Sequence, residues 1–255
     1  MKDLKTSIFI TTYNWPEALS LCLQSIMYQS ILPDEIIIAD DGSGAPTLKV
    51  VEDFKKISPV PIVHIWIEDS GYQINKIRNL AIEAATHPFI IQIDGDVILD
   101  KHFIHDHLKI ARANRLNIGR RVRLSMDKTK ELCQTGQIRG LHYLRSLALC
   151  RIHHSLFYSN KTVRGLRGCN VAFWKKDALA VNGYDESMQG KGKNDKEFGA
   201  RLINLGVKGY NIRNYAICYH LEHLETKAYG AENIQIFQET IDKNKTVIAK
   251  GIRKY

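Results

Sequence analysis

No apolar run in this 255-residue chain approaches the roughly 20 residues that a membrane-spanning helix needs. The first residues show no signal-peptide pattern, because strand-like sequence begins almost at once. The five cysteines (Cys22, Cys133, Cys150, Cys169 and Cys218) are odd in number, scattered and without a Cys-x-x-Cys pair. That argues against a zinc site and for free thiols in a reducing compartment, so a cytoplasmic location is expected. Asn160-Lys161-Thr162 and Asn244-Lys245-Thr246 match the glycosylation sequon but carry no meaning without secretion. Two phosphate-binding signatures are also missing. There is no Gly-x-x-x-x-Gly-Lys-Ser/Thr, and no Gly-x-Gly-x-x-Gly after the first strand. Gly190-Lys191-Gly192 lacks the third glycine and follows no strand. An ordinary dinucleotide-binding dehydrogenase or a P-loop kinase is thereby disfavoured. Internal repeats and linker-like stretches are absent too, so one domain over residues 1–255 is expected.

What is present is an ordinary globular composition, 44% hydrophobic and 25% charged, with a formal net charge of +9. Excess positive charge suits an anionic partner such as a nucleotide diphosphate, a nucleic acid or an acidic membrane. It concentrates in Lys109–Arg123, Arg139–Arg167 and Lys243–Lys254. No aromatic–basic stacking pattern accompanies it, and nucleic acid is not expected.

The most informative stretch is Phe89-Ile90-Ile91-Gln92-Ile93-Asp94-Gly95-Asp96. An apolar, β-branched run reads as a buried strand, and it ends in two carboxylates separated by one glycine. Side chains two apart on an extended chain share a face. Two carboxylates on one face repel unless a cation joins them, which suits Mg2+ or Mn2+ and a phosphate-bearing ligand. Alone, Asp-Gly-Asp reads more readily as a turn. Its context decides. Ser7–Thr11, Glu35–Ala39 and Pro61–Ile67 read as strands, alternating with helices opened at Pro16 and over Thr47–Lys56 and Gln73–Ala85. That alternation predicts an α/β fold with a mostly parallel sheet flanked by helices. Ligands bind beyond the carboxyl ends of such strands. Thr11-Thr12-Tyr13-Asn14, Asp40-Asp41-Gly42-Ser43 and Asp94-Gly95-Asp96 all lie there. Beyond residue 100 the pattern is less regular. Asn117–Ser125 reads as an edge strand, Val171–Trp174 and Tyr215–His220 as strands, Asp195–Leu205 as a helix closed by Gly206, and the last thirty residues as helical and basic.

In this order the chain resembles family 2 glycosyltransferases of the GT-A fold. The first half carries Thr-Thr-Tyr-Asn, Ile-Ile-Ala-Asp-Asp-Gly-Ser, Ile-Arg-Asn-Leu-Ala and Ile-Asp-Gly-Asp. The second carries Arg167-Gly168-Cys169-Asn170-Val171-Ala172-Phe173-Trp174, Asn182-Gly183-Tyr184-Asp185-Glu186, Asp195-Lys196-Glu197-Phe198 and Tyr219-His220-Leu221-Glu222-His223. These are similar to the galactosyltransferase-type end of chondroitin-polymerase-like and β-1,4-galactosyltransferase-like enzymes.

The resemblance implies a nucleotide-sugar-binding half, 1–100, and an acceptor-binding and catalytic half, 101–255. Thr11 and Tyr13 would hold the nucleobase, Asp41 would accept the uracil N–H, and Arg78 would bond base or diphosphate. Asp94 would bond the ribose, and Asp96 with His220 would hold Mn2+ or Mg2+, His223 being the alternate and a structural histidine the plain reading of either. Asp195 would be the catalytic base. Where related sequences carry Gly-Trp-Gly-x-Glu-Asp, this one has Gly190-Lys191-Gly192-Lys193-Asn194-Asp195. Lys191, Asn194 and Trp174 are then expected on the acceptor side, with the lysines favouring a negatively charged acceptor. The implied activity is inverting transfer of a hexose or N-acetylhexosamine from a UDP-linked donor to a glycan or glycolipid hydroxyl, in bacterial surface polysaccharide or lipopolysaccharide assembly. The basic segment Arg139–Arg167 or the basic tail is expected to attach peripherally to the acidic inner face of the membrane. A sugar-nucleotide nucleotidyltransferase would need a glycine-rich basic loop after the first strand, and Thr12-Tyr13-Asn14-Trp15-Pro16 has none. A non-catalytic binding protein would have no use for the retained carboxylates.

Overall fold

A computed structural model describes residues 4–224 and 230–254. Residues 226–229 and 255, part of the expected helical C-terminal run, lie outside the described residues. Seven strands form the main sheet in the order β3-β2-β1-β4-β8-β6-β9. They are β1 (Thr6–Thr12), β2 (Glu35–Asp40), β3 (Ile62–Trp66), β4 (Phe89–Asp94), β6 (Arg115–Ile118), β8 (Val171–Trp174) and β9 (Lys208–Asn211). Only β8 runs against the others, pairing antiparallel with both β4 and β6. The chain builds outward from β1 through β2 to β3, then returns to place β4 on the other side of β1. The strand order thus reverses between β1 and β4, where an open α/β sheet leaves a crevice.

The near-continuous apolar strands are explained by burial on both faces. Alternation sends Ile8, Ile10, Ile36 and Ile38 to one side, against Leu19, Cys22, Leu23 and Ile26 of α1 (Pro16–Met27) and Val51 and Phe54 of α2 (Ala45–Ile57). Phe9, Ile37 and Ile90 face the other side. There they meet Ile77, Ala81 and Ile82 of α3 (Ile74–Ala84) and Phe198 and Leu202 of α8 (Asn194–Asn204). Each fully buried Ile, Leu or Phe contributes about 1.5–3 kcal/mol.

A second, three-stranded sheet has the order β5-β10-β7, from β5 (Val97–Leu99), β10 (Cys218–His220) and β7 (Arg121–Arg123). The single edge strand expected over Asn117–Ser125 is therefore two strands. β6 lies inside the main sheet, and β7 edges the small one. The strand expected from Tyr215 begins only at Cys218, because Asn214 and Ala216 turn through positive φ. The remaining helices are α4 (Phe103–Ile110), α5 (Met126–Thr135), α6 (Leu147–Phe157), α7 (Lys175–Ala180) and α9 (Ala231–Asp242). Helices α5 and α6 start at Ser125 and Ser146, whose hydroxyls accept from the Lys128 and Leu149 amides. After α9 the basic tail is not helical. It folds back, with Asn182 Nδ2 donating to the Ile248 and Arg253 carbonyls at 2.8 and 2.9 Å.

Candidate active site

A cavity of about 670 Å3 opens at the carboxyl ends of β1, β2 and β4. Thr11, Tyr13, Asp41, Arg78, Asp94, Asp96, Lys191, His220 and His223 all line it, as do Trp15, Arg121 and Arg167.

Strand β4 ends at Asp94, and Gly95-Asp96 forms a turn into β5. The two carboxylates reach one cavity around a turn, not by alternation along a strand, and their partners differ. Gly95 allows the close approach: its amide donates to the Thr11 carbonyl at 2.7 Å, and a Cβ would stand 3.1 Å from that oxygen. Asp94 Oδ1 accepts from the Thr11 hydroxyl at 2.8 Å and lies 3.5 Å from Arg78 Nη2. The Thr11 hydroxyl is therefore engaged with Asp94, where the resemblance implies contact with the nucleobase. Burial raises the Asp94 pKa, Arg78 lowers it, and Asp96 and Asp195 raise it further, so the net shift is upward.

Asp96 faces two imidazoles. Strand β10 pairs antiparallel with β5 in a register that sets His220 opposite Val97, beside Asp96. The Leu221 amide donates to the Asp96 carbonyl at 2.9 Å, and His223 follows in the next turn of chain. His220 Nε2 and His223 Nε2 each lie 3.2 Å from Asp96 Oδ2. One donor atom from each of the three residues falls within 4.8 Å of the others. Asp96 Oδ1 and His220 Nδ1 are buried with no hydrogen-bond partner. Burial pushes the Asp96 pKa up, but hydrogen bonds and charge from His220 and His223 outweigh it and hold the carboxyl well below the usual range. A carboxylate with two imidazoles and a spare buried oxygen fits a divalent transition ion of the manganese type.

Asp41 Oδ2 accepts from the Gln73 amide at 3.0 Å, while Oδ1 is buried and unpartnered. Burial pushes its pKa up to about 6, against the Gln73 hydrogen bond and with help from Asp69 and Asp40. Asp40 fixes the turn, accepting from the Ser43 amide at 2.8 Å and lying 3.1 Å from His64 Nε2. Tyr13 is half exposed, its hydroxyl donating to Asp69 Oδ2 at 2.9 Å, so its ring is presented to the cavity.

Arg78 is the hub. It is buried on α3, with Nη1 2.9 Å from Asp195 Oδ1 at the start of α8 and its guanidinium 5.0 Å from the Tyr184 ring centre. Tyr184 stacks on Phe198 and donates to Gln92 Oε1 at 2.7 Å. Burial alone would lower the Arg78 pKa; Asp195, Tyr184 and Asp94 reverse that, so it stays charged. Gly168 lies against this pair. A Cβ there would fall 2.3 Å from Arg78 Nη2 and 2.7 Å from Asp195 Oδ1. Gly168, Tyr184 and the cavity-lining Arg167 were given no role from sequence, although all sit in motifs the resemblance rests on.

Two expected acceptor residues stand elsewhere. Trp174 ends β8 opposite Phe89, at the start of β4 and hence the far end of that strand from Asp94. Its indole donates to the Arg112 carbonyl at 2.7 Å. The antiparallel course of β8 carries it away from the cavity. Asn194 is buried, its amide nitrogen donating to Asn75 Oδ1 at 3.1 Å and to the Gly190 carbonyl at 3.4 Å, so it braces the loop before Asp195. Lys191 lines the cavity, whereas Lys193 lies 5.5 Å from the Phe237 ring centre.

The Escherichia coli chondroitin synthase is 27% identical over 92% of this chain and 38% of its own length. The Pasteurella multocida hyaluronan synthase is 25% identical over 90% and 26%. The chain thus spans well under half the length of these curated relatives. Among solved structures, Staphylococcus aureus TarS 1-349 in complex with UDP-GlcNAc superposes with a TM-score of 0.66 at 17% identity, covering 94% of this chain and 66% of that one. The Pyrobaculum calidifontis mannosyltransferase PcManGT, in complex with GDP-Man and Mn2+, gives 0.64 at 14%, covering 88% and 58%. These likenesses identify the fold as GT-A. The signature described as N-terminal domain of galactosyltransferase matches residues 151–224. That of Glycosyl transferase family 2 matches residues 7–164, more than half of the sequence, and the chain belongs to that family.

Proposed function

We propose that this chain is an inverting, metal-dependent glycosyltransferase that moves a hexose or N-acetylhexosamine from a UDP-linked donor to an acceptor hydroxyl, in assembly of a bacterial surface polysaccharide or lipopolysaccharide. One observation carries the reading. A single buried arginine, Arg78, joins the nucleotide side of the cavity (Asp94) to a carboxylate on the opposite element (Asp195), next to an Asp96–His220–His223 cluster. The named complexes of the structural neighbours with sugar nucleotides and Mn2+ support the donor class and the metal.

The unpartnered Asp41 Oδ1 offers an acceptor to an imide N–H, and the exposed Tyr13 ring offers a face to the base. Asp96, His220 and His223 would hold Mn2+ or Mg2+. Such an ion supplies charge stabilisation to a departing diphosphate. Arg78 adds fixed positive charge in a buried site, where it acts with little reorganisation. Asp195, a quarter exposed and oriented by Arg78, takes the proton of the acceptor hydroxyl. Attack from the face opposite the leaving group inverts the anomeric centre. Lys191 at the rim favours an acceptor bearing negative charge.

The test is release of UDP from a panel of UDP-sugars over candidate glycan acceptors, with and without EDTA. Turnover that EDTA abolishes and Mn2+ or Mg2+ restores is expected, and Asp96→Ala or His220→Ala should require far more metal. Full turnover by Asp96→Ala at low metal would reject the metal assignment. Formation of a sugar nucleotide from sugar phosphate and UTP would reject the reaction.

A further inference from the structure

Helix α6 presents an apolar ridge to solvent. Leu149, Ile152 and Leu156 are spaced i, i+3, i+7 and therefore share one face. They are 41%, 54% and 69% exposed, while Cys150 and His154 on the adjoining face are buried. Phe157, at the end of α6, and Leu144, in the segment before it, are exposed too. Contiguous exposed apolar side chains on a soluble domain mark an interaction surface.

Beside the ridge lies a second cleft of about 250 Å3, lined by Arg120, Arg121, Arg213, Tyr143 and Tyr215 among others, with no carboxylate in its lining. The two features touch. Arg213 Nη1 lies 3.2 Å from Nε2 of His153, which borders the ridge on α6. Arg120 reaches the Tyr158 hydroxyl just past the end of α6, and its Nε is buried without a partner. Burial, then Arg213 and Arg120, lowers the His153 pKa, in keeping with a neutral ring beside these cations.

The surrounding sequence has a matching bias. Residues 132–176 contain no Asp or Glu, and of their Lys and Arg, Arg151 lies on α6 itself, whereas Arg145 pairs with Asp106, Arg167 lines the larger cavity and Lys175 donates to the Glu83 and Ala85 carbonyls. An apolar stripe on a helix, flanked by Arg151 and the cleft arginines Arg120 and Arg213, is the pattern of a helix lying at a bilayer interface. A second copy of this chain would oppose like charges across the contact. The basic tail, the other expected membrane element, has its backbone bound to Asn182 and presents no comparable ridge.

We propose that α6 and the adjoining arginine cleft dock this protein onto an anionic phospholipid bilayer, the cleft seating lipid phosphate and the Leu149–Ile152–Leu156 ridge entering the headgroup–acyl boundary. Arg121 lines both the cleft and the larger cavity, so docking would set the mouth of the active site near the membrane. That placement suits a lipid-linked acceptor, a point that rests on the glycosyltransferase reading; the docking does not.

Vesicle flotation tests it without any turnover assay. Vesicles of phosphatidylcholine with about one-third phosphatidylglycerol should bind the protein at low salt, and phosphatidylcholine alone should not. The exposed double variant Ile152→Ser/Leu156→Ser should lower partitioning on the order of tenfold or more, from lost apolar burial. Arg213→Gln should lower it about fivefold, with Arg213→Lys restoring much of that, since each basic residue acts through the surface potential. Circular dichroism checks that each variant is folded. Equal binding to both vesicle types overturns the proposal, as does a folded double variant that floats like the parent. Sedimentation showing a dimer that the double variant abolishes, with vesicle binding unchanged, assigns the ridge to a second copy and also overturns it.

Discussion

Exchanging Asp195 and Glu197 for their amides separates chemistry from scaffolding, because the two acids sit two residues apart on α8 in opposite surroundings. Glu197 is fully buried. Its oxygens accept from Arg201 Nε and Nη2 at 2.7 and 2.8 Å and from the Thr240 hydroxyl of α9 at 3.0 Å, and Arg201 is equally buried. Glu197→Gln leaves that arginine without its counter-charge, which costs about 3–5 kcal/mol. At about 2–4 °C per kcal/mol for a chain of this size, melting should fall by roughly 10 °C. Turnover per folded molecule should survive. Asp195 is a quarter exposed and ion-paired with Arg78, which keeps Asp94 and the Tyr184 ring when Asp195 becomes Asn. Asp195→Asn should lose about 1–2 kcal/mol of stability but reduce turnover by about 10²–10⁴ through loss of the base. UDP affinity should stay near that of the parent. Thermal melts by circular dichroism, UDP release with the best donor of the panel, and calorimetric UDP titration give the three numbers. Parental turnover by Asp195→Asn, or a Glu197→Gln protein that melts like the parent yet is inactive, would refute the assignment.

Three further outcomes are expected. Gly168→Ala puts a methyl 2.3 Å from Arg78 Nη2, so the Arg78–Asp195 pair must shift. Turnover should drop on the order of 10²-fold while the melt moves little, and a Gly168→Ala enzyme as active as the parent would show that the pair tolerates displacement. Asp41 has its pKa raised to about 6 chiefly by burial, so the carboxylate proposed to accept an imide N–H is depleted below that pH. UDP affinity should therefore weaken by up to about tenfold per unit below pH 6, with proton release on binding, and Asp41→Asn should flatten that part of the profile. His107 is buried against Asn170 Oδ1 at 3.0 Å, and burial lowers its pKa to about 4, opposed by Asn170 and Asp106. A lowered imidazole pKa stabilises the fold fully above the unfolded value of about 6.5 and less as pH falls toward 4. From pH 7 to pH 5 this one residue should remove about 2 kcal/mol, read as a urea-midpoint shift that His107→Gln reduces.

Strands β1, β2 and β4 were legible because each is a run of buried apolar residues ending in a polar cluster, whereas β3 lies half-exposed at the sheet edge and was legible only from its β-branched and aromatic residues. Asp94 and Asp96 were legible at the end of such a strand, whereas Arg78 was singled out only by the resemblance, and all three line the one cavity. The stretch from Arg115 to Asn160 was not legible. Its strands are three or four residues long, and α6 exposes apolar residues where an ordinary amphipathic helix would bury them. Trp174 was misplaced because residue type says nothing about strand direction, and only the antiparallel course of β8 puts it at the far end of the sheet. Asn194 looked like a sugar ligand because its amide partner, Asn75, is 119 residues away. Gly168 is needed for the space it leaves between Arg78, Asp195 and Gln92, which no local pattern records.

The pairing of β10 with β5 also bears on the order in which the site would assemble. Asp96 is followed at once by β5, but the strand that brings His220 to it is drawn from more than a hundred residues further along. A chain emerging from synthesis could form β1 to β4, with Asp41 and Asp94 at their ends, long before His220 and His223 arrive. Closing a loop of that length is slow relative to local contacts. The order of events would be the ends of β1, β2 and β4 first and the three-donor cluster last, so on the proposed reading an unfinished or mispaired chain would lack the metal side of the site. Competence for transfer would then appear in one step, with the last strand of the small sheet.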